Sequence, residues 1–256
     1  MIPIKDNIPT DRFPVVTLAL VIVNLVVYYL AIRHGGSFIS GPDTQEVAKY
    51  GAIPKALTHP GLHCTVLQLG QQEAIGCADR PLPNTIPTWE TAFTGMFMHA
   101  SIIHIAGNMI FLWIFGNNVE DAMGRIKYLA FYLAGGLAAL ALQVAISPNS
   151  TAPTLGASGA IAAVLGAYIV LYPTARVLTL VIIIFFVTVI ELPAWAMLAI
   201  WFAEQAVFAA ANLTNPVGGG GGVAYFAHIG GFVFGLIAVR WLATKRKQVP
   251  PMRPVY

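Results

Sequence analysis

The sequence predicts an all-α membrane protein, a six-transmembrane-helix bundle forming a single membrane domain over residues 1–256, and three observations carry that expectation. Hydrophobic residues make up 57% of the chain and charged residues only 10%, where a soluble domain carries about 25% charge. Mean hydropathy is strongly positive, +0.72. The apolar runs are long and unbroken instead of alternating with a period of two, which favours bundled helices over a membrane β-barrel. A net charge of +3, with no basic patch interleaved with aromatic residues, sets nucleic acid aside as a partner. The lipid bilayer is the expected environment.

The elements follow in order. A first span covers about 14–32. It follows a basic N-terminus, as a secretory signal does, but exceeds the roughly 7 to 15 residues of a signal's apolar core and lacks a small-x-small cleavage site. A polar external loop of about 33–91 comes next and holds the only two cysteines, Cys64 and Cys77. A bridge between them would restrain the loop by on the order of 3 kcal/mol; two free thiols are the alternative, since sequence does not supply geometry. His59, His63 and Cys64 suggest zinc, but no second cluster at ligand spacing accompanies them.

The second apolar run is about 92–117. Within it Ser101 suits the N-cap, which would start the regular helix there and put His104 and Asn108 on one face, four residues apart. Further spans fall at about 126–146, 158–172, 193–211 and 223–243. The stretch 177–190 is shorter than the ~20 residues a span needs, so it is read as a hairpin or interfacial connection. Charge supports six spans: with the N-terminus inside, ten of the fourteen Lys and Arg residues are internal, and the external loops 147–157 and 212–222 carry no charge. A seventh span would put Lys245, Arg246 and Lys247 outside, against the positive-inside rule. Both termini are therefore expected to be cytoplasmic. The short chain, without a targeting extension or a large appended domain, suggests a prokaryotic plasma (inner) membrane.

In this orientation the second, fourth and sixth helices run from outside to inside, and each carries polar residues near its outer end: His104 and Asn108, then Ser158, then His228. Ser158, Ala162 and Gly166 repeat every four residues, as do Ala227, Gly231 and Gly235, so two small-residue faces would let the fourth and sixth helices approach closely. Serine is a weak nucleophile until a neighbouring imidazole acts as general base and later protonates the leaving amine. The Ser158 backbone N–H at a helix N-terminus, with the Asn108 amide and the His104 imidazole, supplies donors for a tetrahedral oxyanion. No carboxylate lies near His228 in sequence, so a Ser-His dyad is the simplest scheme. Position 160 is alanine and no strand precedes Ser158, so the soluble nucleophile elbow does not fit.

His104-Ile-Ala-Gly-Asn108-Met109, Gly156-Ala157-Ser158-Gly159 and Ala227-His228-Ile229-Gly230-Gly231, in that order on alternate spans, resemble the rhomboid intramembrane proteases over about residues 89–243. The resemblance implies a rhomboid-like bundle with Ser158 as nucleophile and His228 as base. It also implies an oxyanion site of His104, Asn108 and the Ser158 N–H, with His99, Gly156 and Ala157 lining the cavity and no cofactor or metal. The implied substrates are transmembrane-helix proteins that unwind at small or helix-breaking residues and enter past the fifth helix. The glycine tract 218–222 would form a mobile cap there. Two departures stand out: Ala162 replaces the aromatic residue that often stacks on the family's histidine, and Trp89-Glu90 replaces a frequent Trp-Arg.

A serine bonded back to a helix carbonyl and a histidine that only packs are the structural readings of the same residues. Glu204, in mid-span on the fifth helix, reads as a protonated or Gln205-linked structural acid. Beyond a serine endopeptidase, the sequence admits a catalytically silent rhomboid-like protein that binds membrane helices. A haem or ion-conducting bundle is the third class, with His99, His104 and His228 as ligands or relays and no role for Ser158.

Overall fold

A computed structural model describes residues 1–70, 72–79, 86–183, 185–214 and 224–244. In chain order these form β1 (Ile2–Asp6), α1 (Val15–Ile32), α2 (Thr44–Tyr50), α3 (Pro54–Thr58), β2 (His63–Leu69), β3 (Gln72–Ala78), a 3₁₀ turn (Thr88–Glu90), α4 (Thr91–Thr94), α5 (Ile102–Met123), α6 (Arg125–Ile146), α7 (Ser158–Leu171), β4 (Arg176–Ile183), β5 (Phe186–Pro193), α8 (Ala194–Thr214) and α9 (Tyr225–Leu242). The glycine tract 218–222 and the basic residues 245–247 lie outside the described residues.

Among the described residues five helices, α1, α5, α6, α8 and α9, are long and apolar enough to cross a membrane. The expected span at 158–172 is α7, only 14 residues and so about 21 Å at 1.5 Å per residue, against a hydrocarbon core of ~30 Å. Its surroundings explain the shortfall. Ten of the α7 residues from Gly159 to Tyr168 are buried, so the helix is sheathed by protein and need not match the lipid.

α7 packs against α9 along the small-residue faces. A Cβ on Gly231 would collide with the Gly159 carbonyl, one on Gly235 with the Ala163 carbonyl, and one on Gly166 with the Phe232 carbonyl. Such contact brings backbones close and maximises dispersion where lipid gives helices no hydrophobic reason to associate.

α1 buries Thr17, Leu20, Asn24, Tyr28 and Ala31 on one stripe at helical spacing. Its first turn is held by Glu120 of α5, buried at 3% exposure. The Val16 and Thr17 backbone N–H groups donate to the Glu120 carboxylate at 3.0 and 2.8 Å, and the Thr17 hydroxyl donates at 2.8 Å. A carboxylate there satisfies orphan donors and complements the helix dipole.

The run expected at 92–117 is divided. The 3₁₀ turn and α4 occupy its start, and α5 begins only after Ser101, whose hydroxyl accepts from the His104 N–H at 3.2 Å. The N-cap bond decides the boundary where the apolar pattern alone does not.

The stretch 177–190 is the hairpin of β4 and β5, and β4 also pairs antiparallel with β1 in a three-stranded sheet of order β1-β4-β5. Val177, Thr179 and Val181 face inward while Ile182, Val187 and Val189 are exposed, the alternation of a strand. Apolar periodicity does not mark β1; it is specified by its partner strand. Asp6 anchors it to the bundle, accepting from the Tyr168 hydroxyl of α7 at 2.5 Å and the Asn118 amide of α5 at 2.6 Å.

At the other end, β2 and β3 form a hairpin in which Cys64 lies directly opposite Cys77 and is disulfide-bonded to it. Ala52 and Thr154 exchange backbone bonds at 3.2 and 2.8 Å, tying the external loop to the segment that leads into α7.

Candidate active site

α7 and α9 bring Ser158 and His228 together: the Ser158 Oγ lies 2.7 Å from His228 Nε2. His228 is 8% exposed. On its other side, His228 Nδ1 lies 2.7 Å from Gln205 Oε1 of α8. An amide oxygen only accepts, so Nδ1 carries the proton and the Nε2 lone pair faces the serine, whose hydroxyl donates to it. The Trp201 ring, one turn before Gln205, lies 5.9 Å from the imidazole, and Tyr225 meets it edge-on at 6.5 Å.

Two side-chain donors, on His104 and Asn108, flank Gly156, and the Ser158 N–H follows two residues on. Ser158 is the first residue of α7, so its backbone N–H has no intrahelical acceptor. The Asn108 Nδ2 is buried without a partner. The Ala100 N–H reaches His104 Nδ1 at 3.5 Å, which puts the His104 proton on Nε2. Gly156 lies between these groups. Its φ of +104° suits glycine alone, and a Cβ would come within 2.8 Å of the His104 ring and 3.6 Å of Asn108 Nδ2. The Gly156 N–H donates to the Gly95 carbonyl at 2.9 Å, fixing the turn.

A cavity of about 520 Å³ opens onto Ser158, His228, His104 and Gly156 and is lined also by Met96, Gly136, Ala139 and Ala160 and by Glu73, Ala74 and Ile75 of β3. Gly156 lines it. His99 and Ala157 do not: both are fully buried, behind the wall. The His99 Nδ1–H donates to the Phe97 carbonyl at 3.2 Å, and its ring meets His104 edge-on at 5.1 Å. Burial, and then the neighbouring His104, pushes the His99 imidazole down to about 3, so it stays neutral and packs behind His104.

Sequence reasoning missed Gln205 as the partner of His228. The polar pair Glu204-Gln205 in mid-span marks the level of the partner but not which of the two faces inward. The helix turns Glu204 outward, exposed, and Gln205 inward, 8% exposed. Among the described residues no group of three or more His, Cys, Asp or Glu side chains could hold a metal. Cys64, once disulfide-bonded, has no thiolate to offer zinc.

The family model for the Rhomboid domain matches residues 87–245. Presenilin-associated rhomboid-like protein A, mitochondrial, of Danio rerio is 37% identical over 82 residues, 31% of this chain and 21% of that protein. Rhomboid-like protein 11, chloroplastic, of Arabidopsis thaliana is 28% identical over 170 residues, 64% of this chain and 56% of its own length. Rhomboid protein 1, mitochondrial, of Saccharomyces cerevisiae is 30% identical over 145 residues, 55% of this chain and 38% of its own length. The match thus spans between a fifth and somewhat over half of these relatives. Their mitochondrial and chloroplastic names overturn the expected prokaryotic plasma membrane with cytoplasmic termini and point to an organellar membrane. Charge and hydropathy orient spans in any membrane and do not say which one.

Proposed function

The chain belongs to the rhomboid family, and on that footing we propose that it is an intramembrane serine endopeptidase that hydrolyses peptide bonds in or near the transmembrane segments of membrane proteins. The observation that carries this reading is the 2.7 Å approach of Ser158 Oγ to His228 Nε2. His228 takes the hydroxyl proton as Oγ attacks the carbonyl carbon, forming a tetrahedral intermediate. The oxyanion accepts from the Ser158 N–H, the Asn108 amide and the His104 Nε2–H. Preorganised donors in a water-poor site are worth far more than in bulk water. The imidazolium then protonates the leaving amine, and a water molecule deprotonated by His228 cleaves the acyl-enzyme. No step calls for a metal or an organic cofactor.

The short α7 supports the same reading. A nucleophile on a full-length span would start at the lipid headgroups, whereas Ser158 opens into a cavity below the external loop, where water and an unwound substrate segment can meet. Gly136, Ala139 and Ala160 in the cavity lining suit small substrate side chains. The relatives' names support an organellar membrane as the location.

Covalent labelling by a fluorophosphonate in detergent tests the reading. The wild type is expected to label and Ser158→Ala to remain unlabelled. No labelling, or equal labelling of both, would overturn it.

A further inference from the structure

We propose that Gln205 is the positioning residue of this site: it holds His228 in the tautomer whose Nε2 can take the Ser158 proton, so that the seating of α8 sets whether the base is competent. The inference rests on the protease reading for its kinetic meaning, but its structural content stands on hydrogen bonding alone.

Among the described residues, the side-chain hydrogen-bond partners of His228 are Ser158 and Gln205. A serine hydroxyl both donates and accepts, so it is compatible with either imidazole tautomer. An amide oxygen only accepts, and it selects the Nδ1–H form. Gln205 and His228 are each 8% exposed, and an amide or imidazole left unpaired at such depth costs free energy. The pair therefore holds each partner in place.

The same helix supplies the packing. Position 162 on α7 is alanine, fully buried, and offers no ring to stack on His228. Trp201 and Gln205 are four residues apart on α8, hence on one face. They present a ring at 5.9 Å and an acceptor at 2.7 Å to the same imidazole. The opposite side of α8 is exposed at Trp195, Ile200 and Val207. A helix bounded by protein on one side only can shift more readily than α7, and a shift would take both constraints away from His228 at once. Gln205 is neutral, so it orients the base and adds no full charge against the imidazolium.

The test uses full-length protein in detergent with ¹⁵N-labelled histidine, His228 being assigned by loss of its signals in His228→Ala. Wild type and Ser158→Ala are expected to carry the proton on Nδ1, because the Gln205 bond persists without the serine. Gln205→Leu is expected to give mixed tautomers and a kcat lower by about 100-fold, with KM nearly unchanged. Gln205→Glu should recover at least part of that loss, since a carboxyl oxygen accepts the same bond in either protonation state.

A proton on Nε2 in the wild type, or a tautomer that changes in Ser158→Ala, overturns the proposal. So does an unaltered tautomer in Gln205→Leu. If the wild type fails to label with fluorophosphonate, the protease reading falls while the tautomer measurements still decide the role of Gln205.

Discussion

At Asn108 a donor is buried with its Nδ2 unpartnered, a cost of roughly 1 to 3 kcal/mol in the resting protein that an oxyanion would offset. Asn108→Ala is expected to lower kcat by about 10² to 10³-fold, the usual loss for one oxyanion donor, with fluorophosphonate labelling slowed but retained. Steady-state cleavage of a transmembrane substrate checks the size, and an unchanged kcat removes Asn108 from the oxyanion site. Gly156 is constrained twice, by a φ of +104° and by the His104 ring beside it. Gly156→Ala should therefore reduce activity more than it reduces thermal stability, because the displaced group is the His104 donor. Ser158 and His228, 2.7 Å apart, were legible from their common level on alternate helices. Gln205 was not, because nothing in a sequence tells which side of a lipid-bounded helix meets an imidazole on another.

At the scale of elements, helix ends and strands are held by residues remote in sequence. Glu120 of α5 caps α1 across 103 residues, and Glu120→Ala would leave the buried Thr17 N–H and hydroxyl and the part-buried Val16 N–H without an acceptor. A loss of about 2 to 3 kcal/mol is expected, with α1 the first helix to exchange its amide hydrogens; Glu120→Gln should lose less. Asp6 fastens β1 to α5 and α7, and burial raises its carboxyl to about 6 from 3.8. The fold thus prefers the protonated acid. Its contribution is complete below about pH 4 and is lost as pH rises through about 6, because over that window the folded state binds more protons than the unfolded state. Thermal unfolding in detergent should show stability falling across this range, and Asp6→Asn, which cannot ionise, should flatten the slope. The apolar pattern announced α1, α6, α8 and α9. The start of α5 was read not from the apolar pattern but from Ser101 as N-cap, the position it holds in the structure.

For the molecule as a whole, the disulfide-closed hairpin of β2 and β3 forms part of the cavity wall through Glu73, Ala74 and Ile75. Cys64→Ser with Cys77→Ser should loosen this hairpin by on the order of 3 kcal/mol, read as faster hydrogen exchange between residues 63 and 78. Labelling of Ser158 by a small fluorophosphonate should persist, since the hairpin contributes no group to the dyad. Hydrophobic excess, the scarcity of charge and small residues every fourth position determined, from sequence alone, a membrane helical bundle and the approach of Ser158 to His228. These are consequences of local composition and period. The tertiary structure decided that α7 is too short to span alone, that an N-terminal strand completes a sheet with β4 and β5, that His99 and Ala157 lie behind the cavity wall, and that Gln205 faces His228. Each of these depends on which surfaces are in contact across the bundle. The physical reason is that lipid provides no hydrophobic force between helices, so rotation and depth are set by packing and buried hydrogen bonds between distant residues.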